Sequence, residues 1–373
     1  MTTTGFAILG TGMVAEYHRQ AIKANADVGA RLVAVGHHET AQFDAIGARF
    51  GVPCLGLDAL LDRPDVDVVC LCTPSGQHAR QALAAAEAGK HLLVEKPMAL
   101  SLLDADAMIQ ACQRRGLRLG VVLQRRAEPT FTRVRAAIMA GDLGELTLGV
   151  VTMPYQRPQA YYDQAAWRGT WALDGGGVLM NQGIHLVDLL VWYMGDPVEV
   201  RATAATLHHQ IAVEDTLAAT LRFASGAQAT IAATTTVTPG FPHRLEVYGT
   251  RGGVQMEGET VTRWALAAAD GARVPPPTAA AGAAAGAGAD PRAIAKTGHI
   301  AIVRDMVAAV REGRPSCVDG REGRRSLSAV LAIYAAAGIG PGPAPGAELS
   351  VRRGPAAPKT PAPPSPRPPE PRR

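Results

Sequence analysis

The 373-residue chain has little of several things, and each shortage excludes a class of function. Aromatic residues are only 5% of it, and no apolar run approaches the roughly 18 to 20 residues of a membrane helix. The opening "MTTTGFAILGTGM" lacks a basic stretch and is expected to enter a core strand rather than act as a signal peptide. Cysteine occurs five times, and the one close pair, Cys70 and Cys72, lies in a hydrophobic strand pattern. Side chains two apart on a strand share a face, which suits neither a metal site nor a disulfide framework. All five are expected to be small buried hydrophobes in a reducing cytoplasm, and no metal is expected. A basic body is missing too. The formal charge is +4, but beyond residue 340 the basic Arg352, Arg353, Lys359, Arg367, Arg372 and Arg373 face only Glu348 and Glu370, which accounts for the whole surplus. Residues 1–340 are formally neutral, so neither nucleic acid nor a membrane is an expected partner.

Hydrophobic residues make up 47% of the chain, enough for two cores. Residues 6–10 (FAILG), 31–36 (RLVAVG), 66–74 (VDVVCLCTP), 91–97 (HLLVEKP) and 117–123 (LRLGVVL) read as strands without in-out alternation, hence buried on both faces. Helical stretches separate them; in one, Ser101 can cap and Gly116 can close residues 101–115. Residues 1–124 are therefore expected to form a doubly wound α/β (Rossmann) domain with a parallel sheet. From 125 to 339, Gly-punctuated alternating strands predict an α+β domain with a large, mainly antiparallel open sheet. Within it, residues 267–295 form an Ala/Gly/Pro-rich insertion expected to be flexible. Residues 340–373 are too rich in proline and too poor in apolar bulk to fold.

The first strand runs into Gly10, Thr11, Gly12, Met13, Val14 and Ala15, then a helix. This G-x-G-x-x-A turn suits a dinucleotide: the first glycine turns, the second lets backbone approach a pyrophosphate, and the alanine permits close helix–strand packing. The second strand should then present an acid to a ribose 2′-hydroxyl, yet His37 stands there, followed by His38 and Glu39. An imidazole can accept from a hydroxyl or donate to a 2′-phosphate, so NAD and NADP both remain open. Thr73 and His78, at the end of a strand, and Glu95 and Lys96, at the end of the next, lie on the rim where such sheets bind ligands. Pro97 stiffens the turn that aims Lys96.

A second feature asks for chemistry. Residues 180–190, "MNQGIHLVDLL", are mostly apolar, yet Asn181, His185 and Asp188 fall on one face of a 3.6-residue repeat.

Taken in order, the glycine turn, "TPSGQH" (73–78), "EKP" (95–97), "WRGTW" (167–171), "GGGVLMNQGIHLVDLL" and "TGH" (297–299) resemble the glucose–fructose oxidoreductase, inositol dehydrogenase and MocA-type family over roughly residues 5–338. The resemblance implies a catalytic lysine at Lys96 and a catalytic histidine at His185. Many members carry aspartate where this chain has Asn181, so Asn181 is expected to orient substrate or Lys96 without charge. It also implies substrate contacts from Arg126, Trp167, Arg168, Asp188 and His299, with Arg125, Tyr161 and Tyr162 nearby. The implied activity is NAD(P)-dependent hydride transfer to or from a secondary alcohol or ketone of a sugar, nucleotide-sugar or cyclitol, in a homodimer or homotetramer joined through the second sheet. An inositol-type dehydrogenase and a non-catalytic nucleotide-binding regulator are the alternatives.

Overall fold

The apolar runs of the first third become a six-stranded sheet. Strands β1 (Thr4–Leu9), β2 (Ala30–Gly36), β3 (Cys54–Leu55), β4 (Val68–Leu71), β5 (His91–Glu95) and β6 (Leu119–Val122) lie in the order β3-β2-β1-β4-β5-β6, all neighbours parallel. Helices α1 (Met13–Ala24), α2 (Phe43–Phe50), α3 (Leu57–Leu61), α4 (His78–Glu87) and α5 (Leu102–Arg114) connect them. Ser101 caps α5 as expected, accepting the Asp104 N–H at 3.0 Å. In this strand order the winding reverses between β1 and β4, which opens a crevice at the carboxyl ends of the strands. The computed structural model describes residues 3–267, 273–274 and 296–340. The expected insertion and tail therefore lie, but for residues 267, 273–274 and 340, outside the described residues.

After α6 (Pro129–Met139) come β7 (Leu146–Pro154), α7 (Gln159–Asp163), a π-helical segment (Val178–Gly183) and α8 (Ile184–Met194). Strands β8 (Pro197–Ala205), β9 (Thr216–Phe223), β10 (Gln228–Thr234), β11 (Arg244–Gly249), β12 (Gly252–Glu257), β13 (Thr260–Ala267) and β14 (Arg273–Val274) join β7 in the order β14-β13-β12-β11-β7-β10-β9-β8. Only β7 and β10 pair in parallel. The strict alternation of buried and exposed residues along β9 and β10 marks one covered and one open face. The covered face packs against α8, whose Leu186, Val187, Leu189 and Leu190 are fully buried.

Helices α9 (Thr297–Glu312) and α10 (Gly320–Ala336) close the described chain. Helix α9, far along the chain in the expected second domain, packs on the first sheet. Its Ile302, Val303, Met306 and Val307 share one apolar cluster with Phe6, Ile8, Cys70, Leu93 and Val122 of the first sheet. An amphipathic helix goes where an apolar face is uncovered, and sequence distance is no obstacle. Helix α10 starts at Gly320, where Asp319 accepts the N–H groups of Arg321 and Glu322. Four cysteines are buried as expected, but Cys317, just before that cap, is exposed. No helix among the described residues is long and apolar enough to cross a membrane.

Candidate active site

The crevice at the carboxyl ends of β1, β4 and β5 continues to the start of α8 as a cleft of about 480 Å³. At one end lies the glycine turn. Gly10 has φ +95°, and a Cβ there would strike the main chain of Cys72 and Thr73 within 2.8 Å. At Gly12, by contrast, a Cβ would meet nothing within 4 Å. That open approach, at the uncapped amino end of α1, fits a pyrophosphate held by main-chain N–H groups. Ala15 is fully buried against the sheet, as the close helix–strand packing expected there requires. The cleft wall runs from residues 12–14 through residues 72–75 to Lys96.

His37 and His38 follow β2 outside the cleft lining. His37 Nδ1 accepts the Glu39 N–H at 3.1 Å, and the two imidazoles lie 4.6 Å apart. Thr73 lines the cleft and donates from its hydroxyl to Gln81 at 2.6 Å. His78, expected at the cofactor, lines the cleft. It is fully buried, with Nδ1 2.9 Å from the Pro97 carbonyl and Nε2 2.9 Å from the Thr73 carbonyl. Burial lowers its pKa, and a neutral ring donates to only one of these carbonyls at a time. His78 thus ties the Thr73 loop to the turn that carries Lys96.

Glu95 ends β5 with its carboxylate 2.9 Å from His18 Nε2 and 3.8 Å from His299 Nε2. Burial would raise its pKa, but these two rings hold it well below the usual carboxylate range. His299, expected at the substrate, reaches the cleft but is mostly buried, with its ring turned to Glu95. Lys96, the next residue, donates from Nζ to the Asn181 carbonyl at 2.7 Å. Burial draws the Lys96 ammonium below its ordinary value, while Glu95 and Asp174 pull the other way.

His185 lines the cleft and is 9% exposed. Burial, then the charges of Lys96 and Arg125, hold its pKa well below that of a free imidazole, so the ring is neutral at neutral pH. Asn181 lines the same wall and donates from Nδ2 to Asp174 Oδ1 at 2.5 Å.

Asp188 is a correction: it does not join Asn181 and His185 in the cleft. Three residues beyond His185 it is turned about 60° around the helix axis, and the π-helical start spoils the single 3.6-residue repeat on which the line was drawn. Its carboxylate, 1% exposed, instead takes Arg126 Nη2 at 2.7 Å and Nε at 3.0 Å, with Ser326 donating to Oδ1. Arg126, expected at the substrate, is thereby corrected as well: it is spent on Asp188 and Glu322 and does not line the cleft. Its neighbour Arg125 does, because adjacent residues of the 3₁₀ turn Gln124–Ala127 are rotated about 120° from each other.

Arg168 and Trp167 are in the cleft as expected. The Arg168 guanidinium lies 4.2 Å from the Tyr161 ring centre and 4.6 Å from that of Trp167, and its Nε is buried without a hydrogen bond. Sequence reasoning missed Arg157, buried at the end of the Tyr155 strand turn, and Asp174, the acid that opens "DGGG". Nothing local marks Arg157. Asp174 could have been noticed as an acid set before three glycines. Among the described residues no cluster of His, Cys, Asp and Glu could hold a metal ion.

Residues 4–123 match the oxidoreductase family with an NAD-binding Rossmann fold, and residues 131–255 match the GFO/IDH/MocA C-terminal domain. Inositol 2-dehydrogenase of Rhizobium meliloti (strain 1021) is 33% identical over 281 residues, 74% of this chain and 82% of that protein. The crystal structure of the WlbA dehydrogenase from Bordetella pertussis, in complex with NADH and UDP-GlcNAcA, has a TM-score of 0.79 at 33% identity, covering 90% of this chain and 97% of the other. Levoglucosan dehydrogenase in complex with NADH and levoglucosan, 22% identical with a TM-score of 0.78, shares the fold across 90% of this chain and 98% of its own. On these likenesses the chain belongs to the GFO/IDH/MocA family of NAD-binding oxidoreductases.

Proposed function

We propose that the protein oxidises a secondary hydroxyl, or reduces the matching ketone, on a sugar-type ring that bears an acidic group. The observation that carries the reading is the presence of Lys96, His185 and the open approach at Gly12 on one cleft. A nicotinamide cofactor supplies the hydride acceptor or donor; the turn at residues 10–15, the loop at Thr73 and Lys96 would hold it. In the oxidative direction neutral His185 takes the hydroxyl proton. Lys96 donates a hydrogen bond to the same oxygen and offsets the negative charge that develops there. Asn181 and the braced turn at His78 keep both groups aimed.

Arg157, Arg168 and Lys96 share this cleft, against the carboxylates of Glu95 and Asp174, and Arg125 on the same lining is paired with Glu259 at 2.9 Å. Glu95 is already engaged by His18 and His299. The cationic surplus supports a substrate carboxylate or diphosphate, which guanidinium groups can bind through paired hydrogen bonds. The WlbA dehydrogenase, whose crystal structure contains UDP-GlcNAcA, is similar over nearly its full length and supports the same class. Likeness to inositol 2-dehydrogenase favours a neutral cyclitol as the second reading. With His37 where an acid would select NAD, NAD and NADP are both candidate cofactors. The open sheet face, where a shallow groove is lined by Ala204, Leu207, Ala218 and Ala232, supports self-association.

The test is absorbance at 340 nm with hexuronic acids, their nucleotide-linked forms and inositols, each with NAD and NADP. Turnover is expected with an acidic sugar substrate. Turnover of inositols alone would favour the cyclitol reading. No turnover of any substrate, with tight cofactor binding, would make the protein a nucleotide-binding regulator.

A further inference from the structure

We propose that Asp174 is a positioning residue of this site: its carboxylate fixes the Asn181 side-chain amide so that the amide oxygen is turned to meet the substrate. The inference rests on the reading above and adds a group to it. Asp174 lies on the tight turn before the three glycines and is 3% exposed. Its Oδ2 accepts the Gly169 N–H at 2.9 Å, and its Oδ1 accepts Asn181 Nδ2 at 2.5 Å. A carboxylate can only accept, so the amide is oriented with its nitrogen toward Asp174. Asn181 lines the cleft, and with its nitrogen turned to Asp174 its Oδ1 is the acceptor offered there. A ring hydroxyl can donate to it, whereas a ketone or ether oxygen at that point would oppose it.

The same residue acts on the lysine from two sides. The Asn181 carbonyl holds Lys96 Nζ at 2.7 Å, so the amide clamp and the lysine share one residue. Asp174 also faces Lys96 electrostatically. The other charges around that ammonium are Glu95, which favours its charged form, and Arg157 and Arg168, which oppose it; neutral His185 lies beside them. Without Asp174, two of the four nearby charges that act on Lys96 would still oppose its proton and only Glu95 would favour it.

The test is a swap. Asp174→Asn should lower kcat/KM by roughly tenfold to a hundredfold, and the alkaline limb of its pH profile should move to lower pH. Melting temperature and NADH affinity should stay close to those of the parent. Asp174→Asn combined with Asn181→Asp moves the carboxylate across one hydrogen bond and should recover most of the rate and the position of the limb. Asn181→Ala, which keeps the acid and its loop, should lower the rate and leave the limb in place. Should Asp174→Asn fold poorly, the swap and Asn181→Ala still decide the question. Unchanged rate and profile in Asp174→Asn, or a swap no better than that single variant, would overturn the proposal. If the parent turns over no sugar, the functional reading fails separately. The pH dependence of amine-reagent labelling at Lys96, followed on its peptide, then reads the Asp174 effect directly, and an unshifted midpoint in Asp174→Asn overturns it.

Discussion

The ammonium of Lys96, at the end of β5, donates to the main-chain carbonyl of Asn181 at 2.7 Å, one helical turn before His185. The first sheet is thereby tied to the start of α8, and the two groups proposed to handle the substrate oxygen are held on one wall. The contact also explains why Lys96 is as buried as it is without a carboxylate bonded to Nζ.

Replacing either group tests the chemistry. Lys96→Ala and His185→Ala should each lower kcat by about a hundredfold or more, with NADH binding, followed by fluorescence, largely retained. The pH profile of the parent carries a further mark. With His185 held well below 6.5 and Lys96 below 10.5, alcohol oxidation should stay on its plateau as pH falls through 6.5 and should decline on the alkaline side before pH 10.5. An acid limb centred near 6.5 would show that His185 titrates as a free imidazole.

Arg168 stands between Tyr161 and Trp167 with Nε buried and unbonded. Arg168→Ala should raise KM for an acidic substrate about tenfold or more, the worth of one charge-assisted hydrogen bond, and leave kcat nearly unchanged. An equal rise in KM for a neutral polyol would place the guanidinium in packing rather than in recognition.

The Arg126–Asp188 pair is assigned to stability. Asp188→Asn leaves Arg126 with Glu322 as its remaining carboxylate, so it should cost about 1–3 kcal/mol in urea unfolding, the worth of weakened hydrogen bonds to a buried charge. The folded fraction should keep its KM. A selective change in KM without loss of stability would return Asp188 to the substrate site.

Glu128 gives a pH signature of the opposite sign from an ordinary paired acid. It is 7% exposed, and burial together with the nearby Glu259 pushes its pKa up to about 7. Its folded pKa exceeds the unfolded value, so the folded state holds the proton longer. Stability from this residue is complete below about 4.5 and is lost as pH rises toward 7. Glu128→Gln should therefore be more stable than the parent at pH 8, by on the order of 3 kcal/mol at most. The gain should vanish as the pH of the melts approaches 4.5.

Much of this molecule was legible in the order of its residues. The parallel sheet, the glycine turn, Lys96 after β5 and His185 on a buried helix each depend on short-range chemistry: an unbroken apolar run, a backbone only glycine can adopt, a cation at a strand end. The misplacements at Arg126 and Asp188 had equally local origins, a 3₁₀ turn that sends neighbouring arginines apart and a π-helical start that breaks the helix period. Other features had no local mark. Arg157 and Asp174 enter the cleft, and α9 enters the core of the first sheet, because folding brings distant segments to one surface. Periodicity states which face of an element is apolar or polar; only the packed chain settles which other element, and which charge, that face meets.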